Sequence, residues 1–180
     1  WKEESRFDTA PSWYVMPEVF DHGYKLMGTS ADEHLTLAKR DPGYRVYFEP
    51  DGCQKDEIID VRDSREDNLA LLEEIEPGSR ATVEKYLDSA KETYEIAKEY
   101  FLYTSFQSLR TLLVPAVLKR VGTLFRLLTT PIMTFAKRHT KNPKIQQLLG
   151  YPAVFLGSSP YIAPSMFHLM SYLDLEDGVL

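Results

Sequence analysis

The chain has 180 residues, 43% of them hydrophobic and 12% aromatic, which suits one domain or one and a half with a real core and argues against disorder. A single cysteine, Cys53, excludes an internal disulfide and a cysteine zinc site, and fits a reducing, cytoplasmic setting. The net charge of −6 hides a partition: residues 1–100 carry 24 acids and 13 bases, whereas residues 101–173 carry 8 bases and no acid. An acid-free stretch of that length in an acidic chain marks a surface that meets something anionic, or a separate structural unit.

The sequence opens on WKEESR, polar and without a methionine or an apolar signal core, so a piece of a longer chain is expected. Residues 7–20, FDTAPSWYVMPEVF, are too apolar for a solvated loop and too irregular for a helix face or an alternating strand. Pro11 and Pro17 stiffen the segment. It reads either as a strand entering a buried turn or as the wall of an apolar cavity. A helix is expected over Glu18–Met27, ended by Gly28. Weak alternation over His34–Lys39, a turn at Asp41-Pro42-Gly43, β-formers over Tyr44–Glu49, a turn at Pro50-Asp51-Gly52 and a short strand at Glu57–Val61 predict a three-stranded meander. Residues 1–62 thus read as a strand-rich portion.

Residues 63–173 read as helical. Ser64 is placed to cap a helix through Glu76, Pro77-Gly78 stops it, and Ser79 is placed to cap the next. That second helix sets Val83, Tyr86, Leu87, Ala90, Tyr94, Ala97 and Phe101 on one apolar stripe, the pattern of a helix packed on a core. Between Pro115 and Pro131, Val117, Val121, Leu124 and Leu128 share a face flanked by Leu118 and Phe125, with Lys119, Gly122, Thr123, Arg126 and Thr130 opposite. An apolar face backed only by basic charge fits a helix lying in a membrane interface. An ordinary core helix that happens to lack acids fits the pattern too. Farther on, Asn142-Pro143 starts a helix, Gly157-Ser158-Ser159-Pro160 breaks it, and Ala163-Pro164 begins another. No window of about 18 residues is free of charge and proline, so no transmembrane helix is expected.

Motifs for chemistry are scarce. The nine glycines never reach the spacing of a phosphate-cradling loop. His22, His34, His139 and His168 are too far apart for a paired metal site, so no metal is expected. Acid pairs such as Glu73-Glu74 and Glu176-Asp177 read as solvated helix faces. The bases of the second half alternate with leucine and no nucleic-acid motif accompanies them, which argues against nucleic acid as a partner.

Four stretches in order carry a resemblance. FDTAPSWYVMPEVF resembles the FDTGPTxxxxPxxF segment of the bacterial-type phytoene desaturases, the FAD-dependent carotenoid desaturases. LAKRDPGYRVYFEPD (37–51), EIEPGSRATVEKYLDSAKETY (74–94) and residues 142–179 are similar to three further blocks of that family. The chain departs from the family pattern at Ala10, where glycine is usual, and at Gly157-Ser158-Ser159-Pro160, where a GGSP or GGNP turn is usual.

The resemblance implies the central part of an amine-oxidase-like flavoprotein. Its fold would be α+β, a small antiparallel sheet with a larger helical lid, and residues 174–180 would begin the return to a flavin-binding domain. It implies FAD as cofactor of the whole protein, with Asp8, Thr9, Ala10 and Pro11 beside the flavin. It also implies a long polyisoprenoid substrate in a pocket of Trp13, Tyr14, Met16, Gly157, Pro160, Tyr161 and Met166. Lys119, Arg120, Arg126, Leu124 and Phe125 would face the membrane, giving a cytoplasmic, peripherally bound protein. No acid/base pair carries over, since the flavin does most of the chemistry. The segment alone is expected to retain no FAD, to show no activity and to self-associate through its apolar pocket. A non-catalytic module binding lipid or a partner, and a related flavin oxidoreductase with another substrate, are the alternatives.

Overall fold

The computed structural model describes residues 14–49, 57–103 and 120–178. Helix α1 covers Pro17–Leu26, with proline at its start, Glu18 in its first turn and Lys25 in its last. Gly28, at φ 84°, ends it in the left-handed region where a side chain would strain the backbone. No residue of α1 is buried. It is held by Asp21, whose carboxylate accepts from the Ala31 amide at 3.1 Å, and by the Tyr94 hydroxyl donating to Glu18.

Strands β1 (Tyr44–Phe48) and β2 (Glu57–Val61) pair antiparallel, with Tyr44 opposite Val61 and Val46 opposite Ile59. Period-2 alternation turns Tyr44, Val46, Phe48, Ile59 and Val61 inward and leaves Arg45, Tyr47 and Ile58 exposed, with Asp60 on the same outer face. On that face Arg45 makes a two-pronged bond to Asp60, at 2.6 and 2.9 Å. Among the described residues the sheet has two strands, so the meander expected to include His34–Lys39 is corrected there. Leu35 is half-buried and Leu37 exposed, so the segment offers no buried face to pin a ladder register.

Helix α2 spans Arg65–Ile75, and the Ser64 hydroxyl accepts from the Asp67 amide at 3.4 Å as its cap. Helix α3 spans Arg80–Ala97 and runs into a wider turn over Lys98–Leu102. Its stripe is buried as expected at Val83, Tyr86, Leu87, Ala90 and Tyr94. Each large apolar side chain so buried contributes about 1.5–3 kcal/mol. Ser79 does not cap α3 as expected. Its hydroxyl donates to the Leu72 carbonyl at 3.0 Å, and Glu73 instead accepts from the Gly78 and Arg80 amides at 2.7 and 2.8 Å. The longer carboxylate reaches both orphan amides of the turn, which a serine cannot do.

Helices α4 (Val121–Thr129), α5 (Ile132–Ala136), α6 (Pro143–Gly150) and α7 (Leu169–Tyr172) follow, with single 3₁₀ turns over Tyr151–Leu156 and Ser165–His168. Asn142 caps α6, accepting from the Lys144 amide at 2.9 Å. One apolar core joins Val61 of the sheet to Leu69, Leu72, Tyr86, Leu127, Phe135, Ile145, Leu149 and Leu175. Tyr86 sits at its centre, donating to the Leu149 carbonyl at 3.0 Å, its ring packed against those of Phe135, His139 and His168. Asn68 ties three elements together: it accepts from the Arg62 amide at 2.8 Å and donates to the carbonyls of Arg62 and Leu175. Gly178, the last described residue, sits at φ 82°, in the left-handed region where a side chain would strain the backbone.

Candidate functional site

Asp8, Thr9, Ala10, Pro11, Trp13 and Lys119 lie outside the described residues. Tyr14 packs its ring on Phe20, with centroids 4.8 Å apart. Its hydroxyl is buried without a hydrogen-bond partner, and burial raises its pKa. Met16 stands before α1 at φ 60°, the one described non-glycine residue in the left-handed region. Gly157, at φ 56°, ends the 151–156 turn. The Pro160 carbonyl accepts from the Met133 amide at 2.9 Å. Tyr161 is exposed, with Lys137 over its ring at 5.7 Å, whereas Met166 packs against the main core.

These residues therefore sit in three places: beside α1, on the turn against α5, and on the core. Clefts formed by the described residues are lined by others. One of about 560 Å³ lies between Ile58, Asp60 and Arg62 of the sheet side and Asp67, Ala70 and Glu74 of α2. Another of about 270 Å³ runs between Val46, Phe48, Leu148 and Tyr151.

Helix α4 shows an unusual division. Leu127 is its one buried residue, 1% exposed, while Val121 (58%), Phe125 (66%) and Leu128 (51%) point to solvent. Leu124, expected on the outward apolar face with Phe125, is half-buried instead. At about 100° per residue, Val121, Phe125 and Leu128 make one outward stripe, Leu124 lies at its edge beside Leu128, and Leu127 alone turns fully inward. Arg126 is exposed, but Arg120 forms an ion pair with Glu92 of α3, which offsets much of its charge. The corner after α4 is pinned to the 160–165 turn: the Ser165 amide donates to the Thr130 carbonyl at 2.7 Å and the Ile132 amide to the Ala163 carbonyl at 2.9 Å. Val154, Phe155, Leu156, Tyr161 and Ile162 add further exposed apolar surface on the 151–162 stretch.

Two buried polar groups escaped the sequence reading. Asp174 accepts from the Tyr44 hydroxyl at 2.6 Å through one carboxylate oxygen, and its other oxygen has no partner. Burial pushes its pKa up to about 7. His168, fully enclosed, lies 2.7 Å from the Ser165 carbonyl and 3.0 Å from the Ser89 hydroxyl, and burial lowers its pKa to about 4. Nothing in LDLED or SMFHLM separates these from surface residues; their burial comes from contacts distant in sequence. Glu176, read as part of a solvated face, bridges Arg65 at 2.5 Å and Lys91 at 2.8 Å. Among the described residues no group of three His, Cys, Asp or Glu side chains could hold a metal, and no helix is long and apolar enough to cross a membrane.

No protein-family model matches the chain. It is 34% identical, over 97% of its length, to the carotenoid 3,4-desaturase of Haloarcula japonica, covering 34% of that protein. It is 28% identical over 96% of its length to the zeta-carotene-forming phytoene desaturase of Myxococcus xanthus, covering 32% of it. A 4,4'-diapophytoene desaturase (4,4'-diaponeurosporene-forming) of Staphylococcus aureus matches at 27% over 99% of the chain, which covers 34% of that protein. The chain spans about a third of the length of these curated relatives. With relatives of one kind aligned along nearly its whole length, the chain is a phytoene desaturase-like segment, similar throughout to carotenoid and phytoene desaturases.

Proposed function

We propose that this chain is the substrate-binding and lid portion of an FAD-dependent desaturase that introduces conjugated double bonds into a long polyisoprenoid in carotenoid synthesis. The observation that carries this reading is the end-to-end match to desaturases. The exposed apolar surface of α4 and of residues 151–162 supports it, because a hydrocarbon substrate must pass from a lipid phase to the enzyme without meeting water. On this reading Trp13, Tyr14, Met16, Gly157, Pro160, Tyr161 and Met166 contribute to the substrate path, and Asp8 to Pro11 approach the flavin. Phe125 and Arg126, with Val121 and Leu128 beside them, rest on a membrane surface at the cytoplasmic side.

The described residues do not fit FAD by themselves. Their positive-φ glycines, Gly28, Gly78, Gly157 and Gly178, lie in separate turns and form no phosphate cradle. No hydride step is therefore assigned to them. The test supplies the whole protein with FAD and phytoene in anionic liposomes and follows visible absorbance as conjugation lengthens. No new absorbance, with the flavin bound, would overturn the desaturase reading. The 180-residue chain alone should retain no stoichiometric flavin and should self-associate through its apolar surface, which light scattering would show. A second reading, a non-catalytic module binding lipid or a partner, is favoured by the outward apolar stripe of α4 and predicts vesicle binding without any desaturation.

A further inference from the structure

A cleft of about 300 Å³ lies between the first turn of α3 and the loop after α5, with Thr82 and Glu76 on one side and Lys137, Arg138, His139 and Lys141 on the other. Its volume is at the lower end of small-ligand sites, about 300–1,000 Å³.

Three bases converge on it, none of them held in an ion pair. Lys25, Lys39, Arg45, Arg62, Arg65, Arg80, Lys91, Lys98 and Arg120 each lie within ion-pair distance of a carboxylate. Among the described residues, Lys137, Arg138 and Lys141 have no carboxylate within ion-pair distance. Glu76 is the one acid in the cleft, and its charge is already engaged: it accepts from the Thr140 hydroxyl and from the Lys141 and Asn142 amides. Burial disfavours a charge on His139, whose Nδ1 donates to the Phe135 carbonyl at 3.1 Å. The Glu73 carboxylate sits at the start of α3, on the Gly78 and Arg80 amides, and offsets the positive end of the helix dipole. Three cations against one satisfied carboxylate leave a concave, positive site.

We propose that this cleft binds the phosphate of an anionic lipid headgroup. The lipid source is favoured because Lys137 belongs to both surfaces: it lines the cleft and lies over the exposed ring of Tyr161, next to exposed Ile162. A headgroup held here leaves its acyl chains against that apolar surface. The inference rests on the membrane-surface reading above and adds to it a specific phosphate contact.

The test uses the chain with Lys137→Gln, Arg138→Gln and Lys141→Gln together, against a control with Arg40→Gln and Lys85→Gln. Partitioning is measured into phosphatidylcholine vesicles carrying phosphatidic acid, and into vesicles carrying oleate at equal surface charge. Glycerol phosphate is titrated at constant ionic strength, reading the amide NMR shifts of residues 138–142. The cleft variant should lose about a hundredfold in partitioning into phosphatidic acid vesicles, roughly fivefold for each charge-assisted contact to the phosphate. It should lose much less on oleate vesicles, and its glycerol phosphate shifts should vanish; the control should change little. Equal losses on both vesicle types, or parent shifts absent with glycerol phosphate, overturn the proposal. Thermal unfolding of the variant guards against misfolding, and Lys137→Arg with Lys141→Arg should keep the binding. Phe125→Ser with Leu128→Ser separates the two readings. It should weaken binding to every vesicle yet spare the glycerol phosphate shifts. Glycerol phosphate shifts in a parent chain that binds no vesicle sink both the membrane reading and the lipid assignment, leaving a site for free phosphate.

Discussion

Asp174→Asn tests whether a carboxyl group kept neutral inside the core sets part of the pH dependence of folding. Asp174 is 5% exposed, one of its oxygens takes the Tyr44 hydroxyl at 2.6 Å, and the other has no partner. Burial raises its pKa to about 7, and the hydrogen bond from Tyr44 opposes that shift only in part. In the unfolded chain the group returns to about 3.9. Between those values the folded state holds a proton that the unfolded state has lost, so this group makes stability fall as pH rises. The loss begins near pH 4 and is complete above about pH 7; some three pH units correspond to a penalty on the order of 4 kcal/mol. Asparagine keeps an acceptor for Tyr44 and cannot ionise. The measurement is urea unfolding of parent and variant from pH 4 to pH 8, plotted as the difference. The variant should gain on the parent steadily across that range, even if it starts lower at pH 4 for want of a partner for its amide. A difference that stays flat with pH would show that Asp174 is ionised and solvated in the fold, and the argument from burial would fail.

His168 works in the opposite sense. Its folded pKa of about 4 lies below the unfolded value of about 6.5, so the unfolded chain binds the extra proton and stability rises with pH through that window. His168→Gln should remove a rise on the order of 3 kcal/mol between pH 4 and 6.5, read from the same urea series, and so unmask the fall caused by Asp174. Leu127→Ala, which empties the one buried position of α4, should destabilise the chain by about 2–5 kcal/mol, whereas Phe125→Ser should shift stability by no more than about 0.5 kcal/mol while weakening vesicle flotation.

The helices legible in the sequence were those whose boundaries are set by local chemistry. Pro17 and Gly28 bracket α1, Ser64 caps α2, and the buried stripe of Val83, Tyr86, Leu87, Ala90 and Tyr94 on α3 is read directly from its spacing. The strands at Tyr44–Phe48 and Glu57–Val61 were also visible, because turn residues flank β-formers. What could not be read depends on partners far away in the chain. The partial burial of Leu124 is set by how α4 docks beside Ser165, whose hydroxyl donates to the Leu127 carbonyl at 3.0 Å. Glu73 takes over at the start of α3 because its side chain, reaching across from α2, accepts from the Gly78 and Arg80 amides while the Ser79 hydroxyl turns to the Leu72 carbonyl. The basic loop at 137–141 showed in the sequence only as part of a charge total. Its concentration into one cleft needs the first turn of α3, more than fifty residues earlier.

The arrangement of α4 explains why the proposed membrane contact would be reversible. A nine-residue helix is too short to persist alone in water, so its fold must hold it. It is held by Leu127 in the core, by the Arg120 pair with Glu92, and by the Thr130 carbonyl taking the Ser165 amide. These contacts all lie on the inner side or at the ends, so the stripe of Val121, Phe125 and Leu128 is left without a role in folding. Moving such side chains from half-exposed to buried yields about 1 kcal/mol each, half the value for full burial. A basic residue near an anionic leaflet adds about 1 kcal/mol more. The apolar and ionic contributions are thus similar, and a few kcal/mol from each gives a marginal hold comparable to that of a single acyl chain. On the proposed function, a surface balanced in this way would let the protein meet the bilayer, draw on a hydrocarbon substrate and leave again. It also makes the contact sensitive to salt, which screens only the ionic half.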